Sequence, residues 1–395
     1  MANLNSYLHL IILCTTSIAC FSLSPSQSDD SVSHSASSFF IFGDSTVDSG
    51  NNNYIDTIPE NRADYKPYGQ NGFFEAPTGR FSDGRVIVDF IAEYANLPLI
   101  PPFLQPSADH TKGVNFASGG AGVLPETNQG LVIDLGTQVK NFEEVRKGLG
   151  EKVGEERAKE IIEEAVYFIS IGSNDYMGGY LGNPDMQQRF TPEQYVGMVI
   201  GNLTQTVQSL YEKGGRKFGF LSLAPLGCLP ALRALNPEEG KCLEAASALA
   251  LAHNNAFSSV LASLQLALPG FVYSNSNFYH WLHARILNPT TYGFTEGEKA
   301  CCGSGPYGGI FSCGGTKKTT EYSLCDNVND HVWWDSFHPT EMIHHQFALA
   351  MWNDTPPSVV PFNLRHLFTS TNIKRTIADV VDLPQEDPLL HRFEL

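Results

Sequence analysis

Short apolar runs alternate along this chain with longer stretches in which apolar residues recur at helical spacing. The runs Phe39–Phe42, Gly113–Ala117, Val166–Ile171, Phe218–Leu223 and Phe271–Tyr273 are too short for stable helices and read as buried strands. Between them, Val86–Ala95 (VIVDFIAEYA) and Glu193–Glu212 carry the helical period, the latter behind Thr191-Pro192, a favourable N-cap and first-turn pair. An Ala- and Leu-rich stretch, Glu239–Leu268, stops at Pro269-Gly270, and His344–Trp352 reads as a last helix after Pro339. Strand and helix in alternation predict an α/β fold built on a mainly parallel sheet.

In such a sheet, ligands collect beyond the carboxyl ends of the strands, so polar residues that directly follow a strand are the first candidates for chemistry. The first strand runs into Gly-Asp-Ser, which sets Ser45 at its exit. Ser45 could be a nucleophile there, or it could cap the next element, a role serine fills well. Near the other end, WWDSFHPT places Asp335 three residues before His338. An imidazole oriented by a carboxylate is the base a serine hydroxyl needs before it can attack a carbonyl, although a lone Asp/His pair is equally compatible with capping or metal binding. Acyl transfer also needs donors for an oxyanion. NFASGGAG (115–122) offers glycine amides, with Gly119 the candidate, and SIGSNDY (170–176) offers the side-chain amide of Asn174; both also fit ordinary tight turns.

Taken together, the segments FIFGDSTVDSGNNN, GRFSDGRVIVDFIAEYANLP, GVNFASGGAGVL, FISIGSNDY, LAPLGCLP, CCG and WWDSFHPT stand in the order found in the GDSL lipase/esterase family, part of the SGNH hydrolases, in its plant secreted branch. The chain resembles that family from about residue 38 to residue 368, with Thr46 where the family name implies leucine. The resemblance implies one three-layer α/β/α sandwich with a five-stranded, largely parallel sheet. It also implies Ser45 as nucleophile, His338 as general base and Asp335 as its orienter, with Gly119 and Asn174 completing an oxyanion hole with the Ser45 amide. No metal or organic cofactor is then required. No GxSxG motif occurs, which separates the chain from α/β-hydrolases.

Composition narrows the partners. A net charge of −17 over 395 residues, with no basic run, argues against nucleic acid. Residues 1–28 hold an uncharged apolar segment from about Tyr7 to Phe21 followed by small and polar residues, which reads as a signal peptide cut between Cys20 and Ser28, or else as an uncleaved anchor. No other run is long and apolar enough to span a bilayer. Of eight cysteines, removal of Cys14 and Cys20 leaves Cys228, Cys242, Cys301, Cys302, Cys313 and Cys325, an even set that fits disulfides in a secreted protein. Six cysteines allow 15 pairings, of which about 12 avoid joining the adjacent Cys301 and Cys302. Asn202 and Asn353 head glycosylation sequons.

Gly303–Gly315 is expected to form a stapled surface loop, and 372–395 a mobile or loosely docked tail. The loop Asp64–Glu75 is a candidate wall of the substrate site, and Tyr65, Tyr68, Phe73, Phe74, Tyr176 and Tyr180 could line an acyl pocket or simply pack. The sequence thus points to a secreted ester hydrolase acting on a lipid, an acylated sugar or another small ester. An acyltransferase using the same residues and an inactive binding or defence protein are the competing readings.

Overall fold

The computed structural model describes residues 37–236 and 240–370. The expected signal segment and the tail from 372 lie outside the described residues.

Five parallel strands form the centre: β1 (Phe39–Gly43), β2 (Gly113–Asn115), β3 (Val166–Ser170), β4 (Lys217–Phe220) and β5 (Val272–Ser276), in the spatial order β2-β1-β3-β4-β5. Every residue of β1 and β3 is buried, because helices cover both faces of the sheet, and this is why these strands read as unbroken apolar runs. A sixth strand, Val359–Pro361, pairs antiparallel with β5 at the edge and raises the expected count of five to six. It is three residues long and ends in proline, so no strand signal marked it; proline is tolerated at a sheet edge because the ladder needs its N–H least there.

The expected helices form as Ile87–Tyr94, Pro192–Glu212, Glu244–Ala267 and Glu341–Asn353. At the second, the Thr191 hydroxyl accepts from the Gln194 amide and the Gln194 side chain accepts from the Thr191 amide, a reciprocal cap that fixes where the helix begins. Further helices at Leu135–Val153, Glu155–Glu164 and Phe278–Leu287 were not marked by the sequence pattern. The first two are dense in charge; Leu135–Val153 buries Leu135, Val139, Phe142, Val145 and Leu149, and Glu155–Glu164 only Ala158 and Ile162.

The strand order reverses direction between β1 and β3. A connection that leaves β1 to one side and β3 to the other opens a crevice at their carboxyl ends, where open α/β sheets bind ligands. Ser45 and Asn174 emerge on either side of that crevice.

The cysteines pair as Cys228–Cys242, Cys301–Cys325 and Cys302–Cys313. The last two staple a region of little regular structure, with two-residue strands at Cys302–Gly303 and Ser323–Leu324. Disulfides of this kind substitute for the core that short irregular segments cannot build.

Candidate active site

The site begins at the end of β1. Gly43 is clamped by the buried Gln138, whose side chain accepts from the Gly43 amide and donates to the Gly43 carbonyl, both at 2.9 Å. A Cβ at Gly43 would stand 2.2 Å from the Ser170 carbonyl oxygen, so only glycine lets β1 and β3 close here. The next amide, of Asp44, donates to that same Ser170 oxygen at 3.1 Å. The chain then turns, leaving Ser45 half-buried at the sheet edge.

His338 meets it from the opposite direction. Its Nε2 lies 2.8 Å from Ser45 Oγ, and its Nδ1 lies 2.8 and 2.9 Å from the two oxygens of Asp335. Asp335 also shapes the turn that carries the histidine, since its Oδ1 accepts from the amides of Phe337 (2.9 Å) and His338 (2.8 Å). Burial would push the Asp335 carboxyl up, but the His338 imidazole, the Lys317 ammonium and the hydrogen bonds to His338 and Tyr68 together hold it below the ordinary carboxylate value. An ionised Asp335 can only accept, so Nδ1 carries the imidazole proton and Nε2 offers its lone pair to Ser45. The Phe81 ring, 4.8 Å from the imidazole, packs against it and limits its rotation.

The Gly119 amide donates to Asp48 Oδ2 at 2.9 Å, and the Gly119 carbonyl accepts from Asn52 Nδ2 at 2.8 Å, so both polar groups of that residue are engaged in structure. Gly120, at φ +85°, lines the cavity beside Ser45 instead. A Cβ there would meet Asn61 Oδ1 at 2.7 Å. Asn174, after β3, also lines the cavity; one of its two amide hydrogens is donated to the Ala121 carbonyl at 2.9 Å, which aims the side chain and leaves the second N–H for another acceptor.

Buried carboxylates and amides interlock these loops, in contacts that no motif or spacing marks in advance. Asp48 Oδ1 accepts from the amides of Gly50 and Asn51, and Asp175 accepts from the amides of Val123 and Leu124 and from the Thr127 hydroxyl. Burial pushes both carboxyls up to about 6, against the pull of those hydrogen bonds. The asparagines after the serine act likewise. Asn51 Nδ2 donates to the carbonyls of Asn115 and Ala117, both at 2.8 Å, and Asn53 Nδ2 to that of Thr78 at 2.8 Å. Asn51–Asn53 thereby tie the β1 loop to its neighbours.

A cavity of about 300 Å³ opens beside Ser45. Its apolar wall comes from Leu226, Leu229, Phe278, Leu282, Phe311 and Phe337. Of the two readings open for Tyr65, Tyr68, Phe73, Phe74, Tyr176 and Tyr180, packing is the one the structure shows: none of them lines the cavity, nor does the candidate loop Asp64–Glu75. Tyr176 and Tyr180 pack on Tyr195 below the site, and Phe73 lies under the Arg85 guanidinium. The Gly303–Gly315 loop is stapled as expected, but its inner side brings Phe311 to the cavity, so it is more than surface. Asn202 and Asn353 are exposed and lie outside the cavity lining.

A serine, an imidazole and a carboxylate in hydrogen-bonded line at the switch point of a parallel sheet are the arrangement serine hydrolases use. The sequence profile described as GDSL-like Lipase/Acylhydrolase matches residues 39–351. Over 353 residues the chain is 48% identical to GDSL esterase/lipase 5 of Arabidopsis thaliana, covering 87% of this chain and 91% of the relative. It is 44% identical to a GDSL lipase of Tanacetum cinerariifolium (85% and 89% covered) and 45% identical to GDSL esterase/lipase 1 of Arabidopsis thaliana (84% and 90%). The chain belongs to the GDSL-like lipase/acylhydrolase family, whose members are ester-hydrolysing serine enzymes.

Among the described residues, no helix is long and apolar enough to cross a membrane.

Proposed function

We propose that the chain hydrolyses carboxylic esters through an acyl-serine intermediate on Ser45. The observation that carries this reading is the 2.8 Å contact between Ser45 Oγ and His338 Nε2, with His338 held by Asp335. His338 takes the hydroxyl proton as Ser45 Oγ attacks the ester carbonyl, and Asp335 stabilises the imidazolium that forms. The amides of Ser45 and Gly120 and the second N–H of Asn174 receive the developing oxyanion; the role expected of Gly119 passes to its neighbour because the Gly119 amide is already donated to Asp48. The intermediate collapses as His338 returns its proton to the leaving alcohol. Water then attacks the acyl-serine with His338 again as base, releasing the acid. The apolar wall of the cavity suits a hydrocarbon acyl group better than an acetylated sugar.

The chain is further proposed to act outside the cell, with Asn202 and Asn353 glycosylated. Three disulfides and the exposure of both asparagines support this. Ser45→Ala and His338→Ala are expected to abolish turnover of a short p-nitrophenyl ester, and a fluorophosphonate to label Ser45 in the native protein alone. Turnover by Ser45→Ala at the wild-type rate would overturn the assignment.

A further inference from the structure

Behind Asp335, on the side away from His338, lies a second line of polar groups that the proposed reaction does not use. Tyr68 Oη is 2.6 Å from Asp335 Oδ2, and Lys317 Nζ is 3.2 Å from Tyr68 Oη. Both side chains are buried, Lys317 with only 2% of its surface exposed. A lysine so buried needs a reason, since removing an ammonium from water is costly unless it is paired. Its direct hydrogen-bond partners are neutral: besides Tyr68, it donates to the Cys313 carbonyl at 2.9 Å, while its charge sits 4.0 Å from the centre of the Phe311 ring and about 5 Å from those of Tyr65 and Tyr68.

Donor rules fix the polarity of this line. An ammonium has hydrogens and no lone pair, so Tyr68 Oη must accept from Lys317 and direct its own hydrogen to Asp335. Asp335 then accepts from Tyr68 on one side and from His338 Nδ1–H on the other. Neither Tyr68, Lys317 nor Asp335 lines the cavity, so none of the three is placed to touch substrate.

We infer that Tyr68 and Lys317 are positioning residues for the proposed triad, a hydrogen-bonded cationic brace that keeps Asp335 ionised and fixed toward His338 and sets the pH at which His338 becomes an effective base. The inference rests on the triad reading of the site. Burial pulls the Lys317 ammonium down to about 8, against the attraction of Asp335 and Glu60, and pushes the Tyr68 phenol well up, so at neutral pH the brace is ammonium, phenol and carboxylate in sequence. Other charged or titratable groups act on the same centre: Asp44 and His344 on His338, and Tyr65 on Asp335. Lys317 differs from them in being a cation linked to the carboxylate through one hydroxyl. A positive charge there opposes protonation of the imidazole, so its removal favours the imidazolium and moves the acidic limb of activity to higher pH.

The experiment compares Tyr68→Phe and Lys317→Met, which keep ring and stem, with the wild-type chain. Each kcat is normalised to the serine titrated by a fluorophosphonate, so that misfolded protein does not count. Tyr68→Phe is expected to lower kcat about tenfold with KM within twofold. Lys317→Met is expected to do the same and to shift the acidic limb of kcat/KM upward by at least half a pH unit. A merely structural role would lower the melting temperature and leave kcat per titrated serine and the pH limb unchanged, and that outcome would overturn the inference. Ser45→Ala run alongside separates the two claims: full activity there removes the triad itself, whereas its loss, with both brace variants unchanged, removes the brace alone.

Discussion

Ser45 and His338 stand 2.8 Å apart, yet the chain holds them by different means. Ser45 leaves a strand buried along its whole length, with Phe42 stacked on Phe116 at 5.0 Å and the loop beyond pinned by Asp48 and three asparagines. His338 follows a three-residue strand, His331–Trp333, in a region where two disulfides and a self-capped turn replace an extended sheet. Burial of apolar area positions the first group; covalent staples and hydrogen bonds to one carboxylate position the second. A reaction that needs both within a few tenths of an ångström therefore depends on two kinds of stability.

Breaking the carboxylate side has the largest expected effect. Asp335→Asn keeps the shape but gives the side chain an N–H of its own and removes the charge that holds the Nδ1–H tautomer, so kcat is expected to fall about 10⁴-fold. The count of serines titrated by a fluorophosphonate reports whether the protein remains folded. A fall of less than tenfold would show that the tautomer is held by something other than Asp335.

The second contrast sets core against staple. Phe42→Ala is expected to cost about 3 to 5 kcal/mol of global stability in a denaturant titration, while kcat per titrated serine stays near wild type. The paired change Cys302→Ser with Cys313→Ser is expected to cost roughly 3 kcal/mol by the loop-entropy argument, but to lower kcat per serine as well, because that staple carries Phe311 and sits beside Lys317. Equal effects of the two on kcat would mean that the two regions are not mechanically distinct.

The same division explains what could be read in advance. The parallel strands were legible because burial on both faces writes them as continuous apolar runs, and Ser45, Asn174, Asp335 and His338 were legible because each follows a strand or a turn signal that places it. Between Gly119 and Gly120 sequence could not choose, because it shows two adjacent glycines but not which amide Asp48 takes. The cavity wall could not be assigned from sequence because it is assembled from Leu226, Phe278 and Phe311, residues 52 and 33 positions apart that only the tertiary fold brings together. The brace is hidden for the same reason, Tyr68 and Lys317 being 249 positions apart. Charge-dense helices such as Glu155–Glu164 escaped because the apolar stripe of Ala158 and Ile162 is too thin to stand out.

The smallest expected effect sharpens the comparison most, because it sets two buried acids beside the same imidazole against each other. Asp44, on the sheet side, is pushed up to about 6 by burial, which its hydrogen bonds from Thr46 and the neighbouring His338 imidazole only partly offset. Asp335, on the stapled side, is held below its usual value despite burial, because its partners outweigh the loss of water. For Asp44 the folded value lies above the unfolded one near 4, so its contribution to stability is present below pH 4 and lost as pH rises through about 6. For Asp335 the sign reverses: its contribution is present above the unfolded value and lost as pH falls through the lowered one. Asp44→Asn should therefore gain on the wild type between pH 4 and 7, by on the order of 2 to 3 kcal/mol, and then level off. Asp335→Asn should fall behind the wild type as pH rises from acid across the carboxylate range. Urea unfolding of both variants from pH 3 to pH 8 measures this directly, and curves of the same slope would show that the two carboxylates share one environment after all.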